Sequence, residues 1–163
     1  MNRVLRAGLI GSALCAAVTS GAFAKSHAGS VTEAVAGTWQ LNTATSKGLM
    51  PAMKSETRIY AVDGIKVSMH SDAVDASGKS ISSSYDAAYD GKAYPTVGYP
   101  TADTIALTKV DSHTVTAVLR KGSTVTATAR AVVSHDGKHL TIARKTGTPP
   151  GKLVASTAVY DRK

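Results

Sequence analysis

Arg58 and Tyr60 are separated by one residue, so in an extended strand both side chains emerge on the same face. A guanidinium beside a phenol binds an anion if that face turns inward; an outward, solvated face is the commoner fate of an arginine. Arg120 and Arg130 lie on the Thr-rich sides of two neighbouring segments. If those sides turned inward they would place two guanidinium groups in a polar cavity, whereas inward Val/Ala sides would leave both arginines on the surface, the favoured arrangement. Tyr85 and Tyr89 share a face and are followed by Tyr94 and Tyr99, a cluster suited either to rimming a ligand pocket or to ordinary cross-strand packing. The candidate ligand contacts are therefore Arg58, Tyr60, Tyr85, Tyr89, Arg120 and Arg130.

Other chemistry finds less support. His135 and His139 flank a tight turn, but zinc wants three or four ligands and a supporting shell, so an exposed turn is the better reading and no metal is expected. Gly78-Lys79-Ser80 resembles the end of a phosphate-binding loop; Ala73 stands where its first glycine is required. There is no nucleophile elbow, no H-E-x-x-H and no paired acidic motif, so the expectation is a protein that is not an enzyme and needs no cofactor.

The elements that must carry these residues are strands. Turn signals recur at Asp63-Gly64, Ser77-Gly78, Asp90-Gly91, Asp111-Ser112, Lys121-Gly122, Asp136-Gly137 and Pro150-Gly151. Asp-Gly supplies the positive φ that a tight hairpin needs. Between Gly91 and Asp111 lie Pro95, Gly98 and Pro100, read as a broken strand or loop. The intervening segments alternate with a period of two. Ile65, Val67 and Met69 face one way; Ile81, Ser83, Tyr85, Ala87 and Tyr89 share a side; Val115, Ala117 and Leu119 oppose Thr114, Thr116 and Arg120. Starting with 37–42 and 54–62 and ending with 152–160, this gives about ten strands. Consecutive hairpins favour an antiparallel up-and-down meander closed into a barrel, which removes its own edges. The face carrying Ala117, Ala127, Ala129, Ala131 and Ala158 is too small-sided to fill such a barrel, so an apolar cavity should remain.

The first 24 residues read as a secretory signal: Arg3 and Arg6, an apolar stretch over 7–18, and Ala22-Phe23-Ala24 as a cleavage site. Removing them takes two arginines from the 163-residue chain and leaves 139 residues with a formal charge of +6 in place of +8. It also removes Cys15, the sole cysteine, and with it disulfides, thiol catalysis and Cys-based metal sites. Ser12-Ala13-Leu14 does not fit the usual approach to a lipidated cysteine, so a soluble exported protein is expected. No later apolar run approaches the roughly 18 residues of a membrane span. Residues 25–36 form a linker or short helical turn, and 37–163 a single barrel domain.

Gly37-Thr38-Trp39 opens the first strand after Val31-Thr32-Glu33-Ala34-Val35-Ala36. This resembles the start of lipocalins and fatty-acid-binding proteins, the calycin barrels, in which a G-x-W lies on the first strand and the indole closes one barrel end. The late-strand arginine that packs on that Trp has a candidate in Arg162. GTWQLNTATSK and YDGKAYPTVGYPTADTIAL are similar to exported bacterial lipocalin-like proteins. In the fatty-acid-binding family an Arg-x-Tyr pair near the chain end holds a ligand carboxylate; here Arg58-Ile59-Tyr60 has the spacing on the second strand, and the last strand reads Val159-Tyr160-Asp161-Arg162, with the order reversed. Segment 43–53 is too short for that family's helical lid.

The expectation is an all-β, lipocalin- or fatty-acid-binding-protein-like barrel, periplasmic or secreted and monomeric, holding a small apolar or amphipathic ligand. The alternative is an envelope interaction protein, an inhibitor or stress factor working through its rim and loops. Dispersed Lys and Arg on an exported chain argue against nucleic acid and stable membrane insertion, while leaving weak attraction to anionic envelope surfaces.

Overall fold

A computed structural model describes residues 34–147 and 151–163. The expected signal peptide, most of the linker before Gly37, and Pro150 lie outside the described residues. The period-two segments form ten strands: β1 (Gly37–Leu41), β2 (Met53–Asp63), β3 (Lys66–Asp75), β4 (Ser80–Ala88), β5 (Asp90–Val97), β6 (Thr104–Lys109), β7 (Thr114–Lys121), β8 (Thr124–Val133), β9 (His139–Thr146) and β10 (Val154–Arg162). Each pairs antiparallel with its neighbours in sequence, and β1 meets β10 with Trp39 opposite Arg162 and Leu41 opposite Tyr160. The meander is thereby a closed barrel without free edges.

Alternation decides what faces in. Val67, Met69, Ser71 and Ala73 are buried along β3, with exposed residues between them. Ile65 departs from the expected face: it lies in the β2–β3 turn after Gly64 and is exposed. The stretch between Gly91 and Asp111, read as a broken strand or loop, holds β5 and β6 with the break at 98–103, where Gly98 and Pro100 stand, while Pro95 lies within β5. Pro95 is accommodated because the Thr96 N–H donates to Asp103 on the β6 side. Alternation then aims the nitrogen of residue 95 at β4, where the ladder consists of only Ser84–Val97 and Tyr85–Thr96. This two-pair ladder is the shortest in the barrel wall.

Up-and-down connectivity sorts the turns into two ends. The connections after β1, β3, β5, β7 and β9 gather at one end, the mouth; those after β2, β4, β6 and β8 gather at the other, beside Trp39. The β1–β2 connection is no helical lid. It makes a turn at 43–45 and a bridge from Lys47 to Thr157, bringing Leu49 against the core. The β5–β6 turn is held by close approach: Gly98 has φ +73°, and a Cβ there would overlap the Ser82 carbonyl oxygen. Gly98→Ala is expected to destabilise the fold by more than about 1 kcal/mol, from steric overlap and positive φ together. Urea unfolding measures it, and an unchanged midpoint would contradict this packing.

At the closed end Trp39 is fully buried and its Nε1–H donates to the Val35 carbonyl at 2.7 Å. The Arg162 guanidinium lies over the indole, 4.1 Å from the ring centroid, and donates to the carbonyls of Ala34, Ala36 and Gly137. Gly37 has φ +119°, and a Cβ there would meet Arg162 Nη1 at 2.8 Å, so this glycine opens the path by which Arg162 reaches Trp39. Gly37, Trp39 and Arg162 thus stand together at this end of the barrel.

Candidate functional site

The barrel encloses a cavity of about 540 Å³. The small residues on the inner face leave this space: Ala117, Ala129, Ala131 and Ala158 line it. Ala127, expected beside them, is buried in the core without lining the cavity. Ile105, Leu107, Leu119, Val133, Leu140 and Ile142 complete the apolar wall. At the mouth the lining passes to 48–51, 98–101, Gly147 and Lys152. A volume in the hundreds of cubic ångströms with mostly apolar walls and a few converging polar groups suits a small organic molecule.

The polar groups centre on β2. Alternation places Glu56, Arg58 and Tyr60 on one face, and all three line the cavity. Glu56 is 7% exposed. Its Oε1 accepts from Arg58 Nε at 2.7 Å and from the Ser71 hydroxyl at 2.7 Å; its Oε2 accepts from the Tyr160 hydroxyl at 2.8 Å. Arg58 also reaches the Tyr60 hydroxyl at 3.4 Å and lies over the Tyr160 ring, 5.1 Å from its centroid. Burial works to raise the Glu56 pKa, but the Arg58 charge and the hydrogen bonds from Ser71, Tyr160 and Arg58 outweigh it and hold the carboxyl below its ordinary range. Burial likewise works to lower the Arg58 pKa, and the surrounding Tyr160 and Glu56 reverse it upward. The two form a neutralised ion pair. Burial pushes the phenols of Tyr85, Tyr89, Tyr99 and Tyr160 up, so all four are neutral hydrogen-bonding groups at neutral pH.

Arg144 is different. It lines the same cavity from β9, and its buried Nε has no hydrogen-bond partner among the described residues. Burial lowers its pKa, opposed by Tyr99 and reinforced by the like charge of Arg58. An arginine so placed remains a cation. The interior cluster therefore holds two guanidinium groups against one carboxylate.

Of the sequence candidates, Arg58, Tyr60, Tyr85 and Tyr89 line the cavity. Arg120 and Arg130 do not. Each follows an inward residue, Leu119 and Ala129, so alternation turns it outward, where Arg120 Nη1 donates to the Ser123 carbonyl at 3.1 Å and Arg130 Nη2 approaches the Thr114 hydroxyl at 3.4 Å. Both leave the candidate site. The tyrosines do not form one rim: Tyr99 stands at the mouth, Tyr85 within β4 and Tyr89 at the opposite end. Tyr94 turns away and donates to Asp90 at 3.0 Å. His139 pairs with Asp161 at 2.8 Å while His135 packs on His113, ring centroids 4.6 Å apart. No group of three or more metal-ligating residues is found among the described residues. Glu56, Ser71, Arg144 and Tyr160 were absent from the sequence candidates, although alternation places Glu56 with Arg58, and Arg144 with Leu140 and Ile142.

No family model and no curated protein sequence matches the chain. Among solved structures it is similar to the zebrafish ileal bile acid-binding protein complexed with cholic acid, at a TM-score of 0.51 and 8% identity, over 80% of this chain and 99% of that one. Weaker likenesses are Rv2717c from M. tuberculosis (TM-score 0.49, 15% identity, 80% and 93% covered) and the siderocalin Ex-FABP (0.35, 13%, 80% and 74%). At such identities the shared property is architecture: the chain is a ten-stranded barrel with the lipocalin/fatty-acid-binding-protein-like fold.

Proposed function

We propose that the protein is an exported carrier that holds one small amphipathic anion inside the barrel, its apolar part against the Ala/Ile/Leu wall and its charged end at Arg144. The observation that carries this reading is a cavity of about 540 Å³ lined by a guanidinium whose buried Nε has no hydrogen-bond partner among the described residues. Arg58 is a poorer anchor because Glu56 already occupies it. The zebrafish protein of the same fold was crystallised with cholic acid, an amphipathic carboxylic acid and so a ligand of the class proposed. A reading in which only the rim and loops act calls for a filled core, and the cavity weighs against it.

Two fluorescent probes test the proposal: anilinonaphthalene sulfonate, an amphipathic anion, and the uncharged N-phenylnaphthylamine. Both are expected to bind saturably with a stoichiometry of one. Arg144→Met should weaken the anionic probe about tenfold to a hundredfold, the worth of a hydrogen-bonded charge contact, and leave the uncharged probe within about twofold. If neither probe saturates, and native mass spectrometry of protein purified from its own host carries no small molecule, the carrier reading fails.

A further inference from the structure

The two ends of the barrel differ in charge as well as in shape. At the closed end the signs alternate: Asp63 with Lys66 and Asp136 with Lys138 flank two turns, and Asp90 pairs with Lys92 at 3.5 Å. The mouth carries Lys47, Lys54, Lys79, Lys121 and Lys152 on its connections and the strand ends beside them. The carboxylates on those connections are Asp75 and Asp103. Asp75 accepts the N–H groups of Ser77 and Lys79, and Asp103 accepts that of Gly122 while pairing with Lys121 at 3.2 Å. The same crown exposes large apolar side chains: Met50 is 77% exposed, Val97 67% and Leu153 47%. The closed-end turns also expose Ile65 and Val110, so what distinguishes the mouth is its excess of lysine, with Met50, Val97 and Leu153 standing among those lysines around one opening.

We propose that the mouth docks on an anionic lipid bilayer, its lysines at the headgroups and Met50, Val97 and Leu153 in the acyl boundary. Charge complementarity selects an anionic surface, and the apolar side chains select one with a low-dielectric layer beneath it. A single-stranded nucleic acid would use exposed aromatic rings for stacking, and the aromatic of this crown, Tyr99, is turned into the cavity. Each lysine held at an anionic surface strengthens binding about fivefold. Docking stands on this surface alone, so it survives or falls independently of the carrier reading.

The test is co-sedimentation of the protein with vesicles of equal phosphatidylglycerol and phosphatidylcholine, and with phosphatidylcholine alone. Binding to the anionic vesicles is expected to be at least tenfold stronger and to fade between 0.05 and 0.5 M salt, about a threefold fall in Debye length. Lys47→Glu/Lys79→Glu should reduce it more than tenfold, and Val97→Ser/Leu153→Ser should reduce it while leaving its salt dependence in place. Lys92→Glu/Lys138→Glu, at the closed end, should change it less than twofold. Far-ultraviolet circular dichroism establishes that each variant is folded. Three results overturn the proposal: no sedimentation with anionic vesicles, equal losses from mouth and closed-end variants, or equally tight binding to a single-stranded oligonucleotide in the same salt.

Discussion

Glu56→Gln is expected to destabilise the protein by about 3 kcal/mol, the lower end of the cost of removing one partner from a buried ion pair. Glutamine keeps the volume but only one acceptor oxygen, and Ser71 and Tyr160 donate to different carboxylate oxygens, so the loss combines the charge with one of those hydrogen bonds. Arg58 would then face the interior without a counter-charge, with only 20% of its side chain exposed. The lower end applies because that residual exposure opens on the cavity. Glu56→Gln/Arg58→Met should recover most of the loss, since a buried pair replaced by groups of similar volume is often neutral. The carboxyl pKa is lower in the folded protein than its unfolded value of about 4.3, so its stabilisation is complete above that pH and disappears as pH falls through the folded value. Urea midpoints from pH 7 to 3 should therefore fall less in Glu56→Gln than in the parent. A single variant that costs under about 1 kcal/mol would mean that Arg58 is not held by this carboxylate.

Trp39→Ala should cost about 3–5 kcal/mol, a large share of the 5–15 kcal/mol typical of a domain. The indole is fully buried, and its loss leaves the Val35 carbonyl without its donor, Arg162 without the ring beneath it, and a void in the buried core. Arg162→Lys should cost less but more than a surface change, because an ammonium cannot donate at once to Ala34, Ala36 and Gly137 in that planar geometry. Circular dichroism in urea reads both, since fluorescence is lost with the tryptophan. Trp39→Phe, which keeps part of the apolar volume, should lie between alanine and the parent. Equal stability of all three would show that the closed end is not sealed by this residue.

Much of the fold was legible because two-residue alternation and turn residues are local properties. Asp63-Gly64, Lys121-Gly122 and Asp136-Gly137 fall at observed reversals, and Ala117, Ala129 and Ala131 line the cavity that their size suggested. Gly98 and Pro100 mark the break between β5 and β6, but the place of Pro95 inside β5 was not legible, because its tolerance depends on where the β4–β5 ladder stops, a matter of pairing between strands. The candidate site was half legible for the same reason. Tyr60, Tyr85 and Tyr89 follow from the pattern of their strands. Arg120 and Arg130 satisfied a chemical requirement, but Leu119, Ala129 and Ala131 already claimed the inner face of those strands. Glu56 and Arg144 obeyed alternation yet looked like surface residues, because a charge is placed inside only when a partner or ligand is known. Tyr160, Glu56, Ser71 and Arg58 come from three strands spanning the β10–β1 closure, and their meeting belongs to the closed barrel.

The two-pair ladder between β4 and β5 has a mechanical consequence. Segments open locally at a free energy set by the hydrogen bonds and contacts they break, and this seam has the fewest ladder pairs to break. Everywhere else the circumference is fixed by longer ladders, or by β1 tied to β2 and β10 around the Trp39 plug. The seam with the fewest paired residues thus lies on the side carrying Tyr85, whereas Arg58 and Glu56 stand on β2, which is paired with β3 along its length.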